Sequence, residues 1–193
     1  MISVPDQRYT VLNAIAKRDF AWAQKLTAEI LSDQQSEASE KTINGEQQQT
    51  RTAEKLLSIA SSLATFDQPA ALSFARSSLR YPATMYLPLF LYQLSEANRQ
   101  AADQFYLEAL SAYAKAPMDR LLYLSSYPFG NDREAGEMPG YTIYQVPTGF
   151  AASPNLQRSF VQVLLHRIQQ RLGQLLETTP GGRVRRPSKC GLP

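Results

Sequence analysis

Two stretches of the chain read alike: Leu63-Ala-Thr-Phe-Asp67-Gln-Pro-Ala70-Ala71-Leu-Ser-Phe74-Ala-Arg-Ser-Ser-Leu79 and Leu94-Ser-Glu-Ala-Asn98-Arg-Gln-Ala101-Ala102-Asp-Gln-Phe105-Tyr-Leu-Glu-Ala-Leu110. A shift of 31 residues lays Leu63 on Leu94, Asp67 on Asn98, alanine pair on alanine pair, Phe74 on Phe105 and Leu79 on Leu110. In each copy a helix ends in leucine. An Asp or Asn then offers its side-chain oxygen to the unpaired N–H groups of the next helix. Pro69 fits that helix's first turn, where no intrahelical donor is lost. Alanines beside a tight turn let two helices approach closely, while Phe and Leu fill the space where they diverge. These stretches predict antiparallel helix pairs.

The same reading extends to both sides. Apolar spacing predicts helices over 52–66, from Asp67 to about Arg80, from about Leu87, and over 100–116, with Pro82 and Pro117 as stops. An N-terminal pair, 9–16 and 20–31, follows more loosely at a shift of 48, with Ile15, Asp19, Ala23, Leu26 and Leu31. Between them, residues 33–51 are rich in Gln, Ser, Glu and Thr and read as a flexible polar linker. The organisation expected is a helix pair at 1–32, the linker, a helical body at 52–178 and a disordered basic tail at 179–193.

Within the body, a helix is expected to start at Met118 and to give way to an irregular segment, 128–152, dense in turn formers. Residues 141–146 carry the β-branched and aromatic residues of one short strand. Ser153 and Pro154 then mark the start of a long C-terminal helix, with Leu156, Phe160, Leu164, Ile168 and Leu172 recurring every four residues.

The pattern Ala102-x-x-x-Tyr106-x-x-Ala109-Leu110 is similar to the second helix of tetratricopeptide repeats, and Ala71-x-x-x-Ala75-x-x-Ser78-Leu79-x-x-Pro82 resembles a degenerate version. The resemblance covers residues 52–117. The spacing is 31 where the family repeats at about 34, and the family's first-helix Trp and Gly-Tyr signals are absent. The resemblance implies an all-α array of antiparallel helix hairpins, an α-solenoid, here followed by the irregular aromatic loop and the long C-terminal helix. It also implies a concave surface that holds a peptide or a partner helix.

Composition agrees with a folded chain: 193 residues, 44% hydrophobic and 19% charged, enough to bury a core without disulfide or metal. The single cysteine, Cys190, has no partner for an internal disulfide. Net charge is +3, but residues 151–193 hold seven cations against Glu177, leaving the rest slightly acidic. The first 20 residues lack a basic start with an apolar run, which gives a cytoplasmic expectation and leaves an upstream start open. The most apolar stretch, 85–92, is far shorter than the roughly 20 residues that cross a bilayer.

Motifs for chemistry are few. His166 is the only histidine and sits among Val163, Leu164, Leu165 and Ile168, with no nucleophile elbow in the chain. One His and one Cys do not make a zinc site, and no glycine-rich phosphate loop occurs. No catalytic, cofactor or metal residues are therefore expected. Glu96, Asp103, Glu108 and Asp119 read as a solvated helix face, with an Arg99–Asp103 pair four residues apart.

Aromatic residues are the richer signal. Tyr123, Tyr127, Phe129, Tyr141, Tyr144 and Phe150 gather after the last repeat, either to cap the array's open end or to touch a partner. The function expected is a non-enzymatic interaction or scaffold module, with Tyr106, Tyr113, Tyr123 and Tyr127 contributing to a partner-binding groove. Two alternatives stand beside it. One is a helical-toroid hydrolase using paired carboxylates; the other is a nucleic-acid accessory protein acting through Arg183, Arg185, Arg186 and Lys189 of the tail.

Overall fold

The computed structural model describes residues 8–38, 45–130, 146–147, 149–151 and 153–178. The described chain is all-α: α1 (Arg8–Ala16), α2 (Phe20–Ala38), α3 (Gly45–Leu63), α4 (Gln68–Ser78), α5 (Tyr86–Ala97), α6 (Arg99–Tyr113) and α7 (Met118–Leu122). A 3-10 turn (Tyr123–Ser125), α8 (Ser126–Phe129) and α9 (Pro154–Thr178) follow. No strand occurs among the described residues. The strand expected at 141–146 lies outside them except for Val146, and the tail 179–193 lies outside them entirely.

Three turns share one hydrogen-bond pattern. The Asp67 side chain accepts from Ala70 N at 3.0 Å and the Asn98 side chain from Ala101 N at 3.1 Å. Asp19 does the same for Trp22 N at 3.0 Å. Each capping residue also donates its own N–H four residues back, to Leu63, Leu94 or Ile15, and accepts from the residue four ahead, Ala71, Ala102 or Ala23. These bonds satisfy the helix-end groups that would otherwise have no partner. They join α1 to α2, α3 to α4 and α5 to α6, and the two helices of each pair are in contact, with α3 packed on α5 and on α1.

Small residues permit the close packing. Ala70, Ala71, Ala75, Ala102 and Ala109 have no accessible surface, and Phe74, Phe90 and Phe105 fill the core around them. Phe90 and Phe105 meet edge to face at 5.5 Å, a favoured aromatic geometry. Polar contacts tie α4 to α6: Arg76 grips Glu108 through Nε at 2.8 Å and an Nη at 2.9 Å, and Asn98 donates to Gln68 at 3.1 Å.

The linker reading needs correction. Of residues 33–51, only 39–44 lie outside the described chain; 33–38 extend α2, and 45–51 form the first two turns of α3. Gln, Glu and Arg are good helix formers despite being polar. Glu46 suits the positive end of the helix dipole and bonds Arg120 at 3.2 Å. Thr50 and Thr52 turn their hydroxyls back onto the carbonyls of Glu46 and Gln48, both at 2.9 Å.

In α9 the expected face is only partly used. Leu156 and Phe160 are buried and Leu164 half-buried, but Ile168 and Leu172 are exposed. A repeat of four outruns the 3.6-residue turn by about 40° each time, so the row winds off the body. The helix is held against the rest by Gln157, donating to the Pro128 carbonyl at 2.9 Å, and by Arg167, donating to the Ala116 carbonyl at 3.0 Å.

Candidate functional site

The residues expected to line a groove are for the most part buried. Tyr106 and Tyr127 have no accessible surface and Tyr113 keeps 5%, while Tyr123 is half-buried. Tyr127 packs against three rings, 5.5 Å from Tyr92, 5.4 Å from Tyr106 and 5.3 Å from Phe150, with Tyr92 and Phe150 themselves 5.1 Å apart. The grouping closes the end of the α5/α6 pair. Tyr141 and Tyr144 lie outside the described residues.

A charged lid completes this cluster. Arg99 stacks over Phe150 at 4.1 Å and Tyr127 at 5.5 Å, and donates to the Ala151 carbonyl at 2.9 Å. The expected Arg99–Asp103 pair forms at 2.9 Å, and Asp103 also accepts from the Tyr127 hydroxyl at 2.8 Å. Burial pushes the Tyr127 hydroxyl well above the usual phenol range, and the Asp103 carboxylate reinforces the shift. The Tyr106 and Tyr113 hydroxyls are raised by burial as well. Tyr92 donates to the Ser126 carbonyl at 2.6 Å. A Cβ at Gly130 would come within 2.0 Å of the Tyr92 hydroxyl, so the chain leaves α8 past that ring only as glycine. Neither Arg99's stacking nor Gly130's close approach was signalled by sequence, because the first depends on where Phe150 packs and the second on α8 lying against Tyr92.

The four carboxylates singled out in the sequence have separate surroundings. Asp103 is engaged by Arg99 and Tyr127, and Glu108 by Arg76, whose hydrogen bond holds the Glu108 carboxyl below its ordinary range. Glu96 is exposed, and Asp119 is exposed beside Arg120 at 3.8 Å. His166 is exposed, its Nε2 2.8 Å from the Gln170 amide nitrogen. Among the described residues, no three His, Cys, Asp or Glu side chains group as metal ligands, and no helix is long and apolar enough to cross a membrane.

A different surface has the form of a binding site. Between α2 and α4 lies a groove of about 560 Å³, walled by Gln24, Lys25, Ser73, Ser77, Arg80 and Tyr81. Gln24 donates to Ser73 at 2.8 Å, joining the two helices. Among the described residues, two cations and no carboxylate line it. Burial raises the Tyr81 hydroxyl above its ordinary range against the opposing influence of Arg80, so it remains a donor. Tyr113 stands behind this wall: its hydroxyl donates to the Tyr81 carbonyl at 2.9 Å.

No family model, curated protein or solved structure matches the chain. Its function is therefore argued from the groove's own chemistry. The lining can offer an ammonium, a guanidinium, the Ser73 hydroxyl, an amide and a phenol, while the Ser77 hydroxyl donates to the Ser73 carbonyl at 3.0 Å. Together these complement carboxylates and backbone carbonyls on an elongated ligand.

Proposed function

We propose that the chain is a non-enzymatic interaction module, a tetratricopeptide-like array of three helix pairs that holds an extended acidic peptide between α2 and α4. The single observation that carries this reading is that Lys25 and Arg80 share a groove whose lining, among the described residues, has no carboxylate. The arrangement as an array is supported by the three identically bonded turns at Asp19, Asp67 and Asn98. The site residues shift accordingly, from buried tyrosines to Gln24, Lys25, Ser73, Ser77, Arg80 and Tyr81. Cations on a groove's rim steer an acidic partner and set its salt dependence, while the neutral donors fix its register.

Fluorescence anisotropy tests this with two labelled decapeptides that differ only in Glu against Gln. The Glu peptide binds more tightly, its affinity falls with salt, and Lys25→Glu with Arg80→Glu weakens it by about tenfold or more. Equal binding of the two peptides, or indifference to the charge reversal, overturns the reading.

A further inference from the structure

Helix α9 carries two apolar stripes, and its own chain covers one of them. Leu156 and Phe160 are buried and Val163 and Leu164 half-buried. About 100° around the helix lies the second stripe. It comprises Val161, Leu165, Ile168 and Leu172, exposed by 40, 53, 40 and 54%. Their spacing of four, three and four is the a/d seam of a coiled coil. From Ile168 to Gln174 every residue is exposed. A short helical segment presenting such a seam to water is weakly stable without a partner.

We propose that this stripe joins two copies of the chain, their α9 helices antiparallel about a two-fold axis passing between Leu165 and Ile168. Antiparallel seams set a positions against d positions. With Leu165 of each copy opposite Ile168 of the other, Val161 falls opposite Leu172 in the same register, so all four layers close at once. The stripe is complementary to itself.

Charge favours this orientation. Arg158 lies seven residues before Leu165, on the seam, so parallel pairing would set its two copies against each other. The antiparallel register parts them by about 25 Å. Beside the seam, Gln162 of one copy falls next to Gln169 of the other; both are neutral and exposed, so the contact carries no repulsion. With these flanks the seam closes at most on the order of 1,000 Å², the lower limit for a specific interface, so the dimer expected is weak and concentration-dependent.

Sedimentation equilibrium on the full chain, from about 5 to 200 µM, reads the assembly directly. The wild type shifts from monomer to dimer across that range. Leu165→Glu with Ile168→Glu remains monomeric with an unchanged helical spectrum, since both side chains face water in the monomer. In a Cys190→Ser background, oxidising a mixture of Leu165→Cys and Ile168→Cys chains gives more disulfide-linked dimer than either chain alone. A wild type that stays monomeric, a double variant that still dimerises, or Leu165→Cys linking best to itself overturns the proposal.

Discussion

The Tyr113 hydroxyl donates a 2.9 Å hydrogen bond to the Tyr81 carbonyl, fixing the end of α4 from within the core of α6. Tyr81 is one wall of the α2/α4 groove, so a buried residue of one helix pair sets the shape of a surface on another. Tyr113→Phe keeps the ring and removes the bond. It lowers stability by about 1 kcal/mol in urea titration and weakens the Glu decapeptide severalfold, although residue 113 never touches the peptide. Unchanged affinity in a folded variant would show that the wall holds its place without Tyr113.

Two neighbouring tyrosines respond oppositely to loss of their hydroxyls. Tyr127 donates to the Asp103 carboxylate at 2.8 Å, whereas the buried Tyr106 hydroxyl has no partner among the described residues. Tyr127→Phe therefore costs about 1.5–3 kcal/mol, and Tyr106→Phe is neutral or stabilising. Thermal and urea unfolding of the two variants side by side decide the matter; equal losses would contradict the geometry.

Alkali attacks the same cluster. Tyr106, Tyr113 and Tyr127 have native pKa values raised by burial, so the folded state keeps three protons that the unfolded chain releases above its ordinary phenol range near pH ~10. Their contribution is fully present below that value and is lost progressively as pH rises from it through the raised native values. Phenolate absorbance for these residues should appear together with loss of helicity. Ionisation of all ten tyrosines near the ordinary value with the helices intact would be the contrary result.

Gly130→Ala places a methyl carbon 2.0 Å from the Tyr92 hydroxyl, which is already committed to the Ser126 carbonyl. The ring or the chain must move, at a cost of about 1–3 kcal/mol typical of overpacking. Tyr92→Phe in the same chain removes the clashing oxygen and restores part of the loss. Destabilisation unaffected by that second change would place the strain elsewhere.

What the sequence made legible follows from locality. The Asp67 and Asn98 caps, the alanine pairs and the all-α class rest on interactions within four residues, and residue spacing records those. The start of α3 escaped because its first turns are polar and their stability comes from intrinsic propensity and the Glu46–Arg120 contact, 74 residues apart. The tyrosines were recognised as a group, but their direction was not. Whether Tyr106 and Tyr127 face a partner or Phe150 depends on the loop's return, which no helical period encodes. Nothing in residue spacing marks Lys25 and Arg80, since only the packing of α2 beside α4 makes them neighbours on one groove.

The central claim is that the α2/α4 groove takes an acidic peptide, and hydrogen–deuterium exchange of the full chain with and without the Glu decapeptide tests it most directly. Slowed exchange confined to residues 21–28 and 73–81, and absent in the Lys25→Glu, Arg80→Glu chain, is the result the account predicts. Protection centred on α9, or no protection at a peptide concentration that saturates the anisotropy signal, would contradict it.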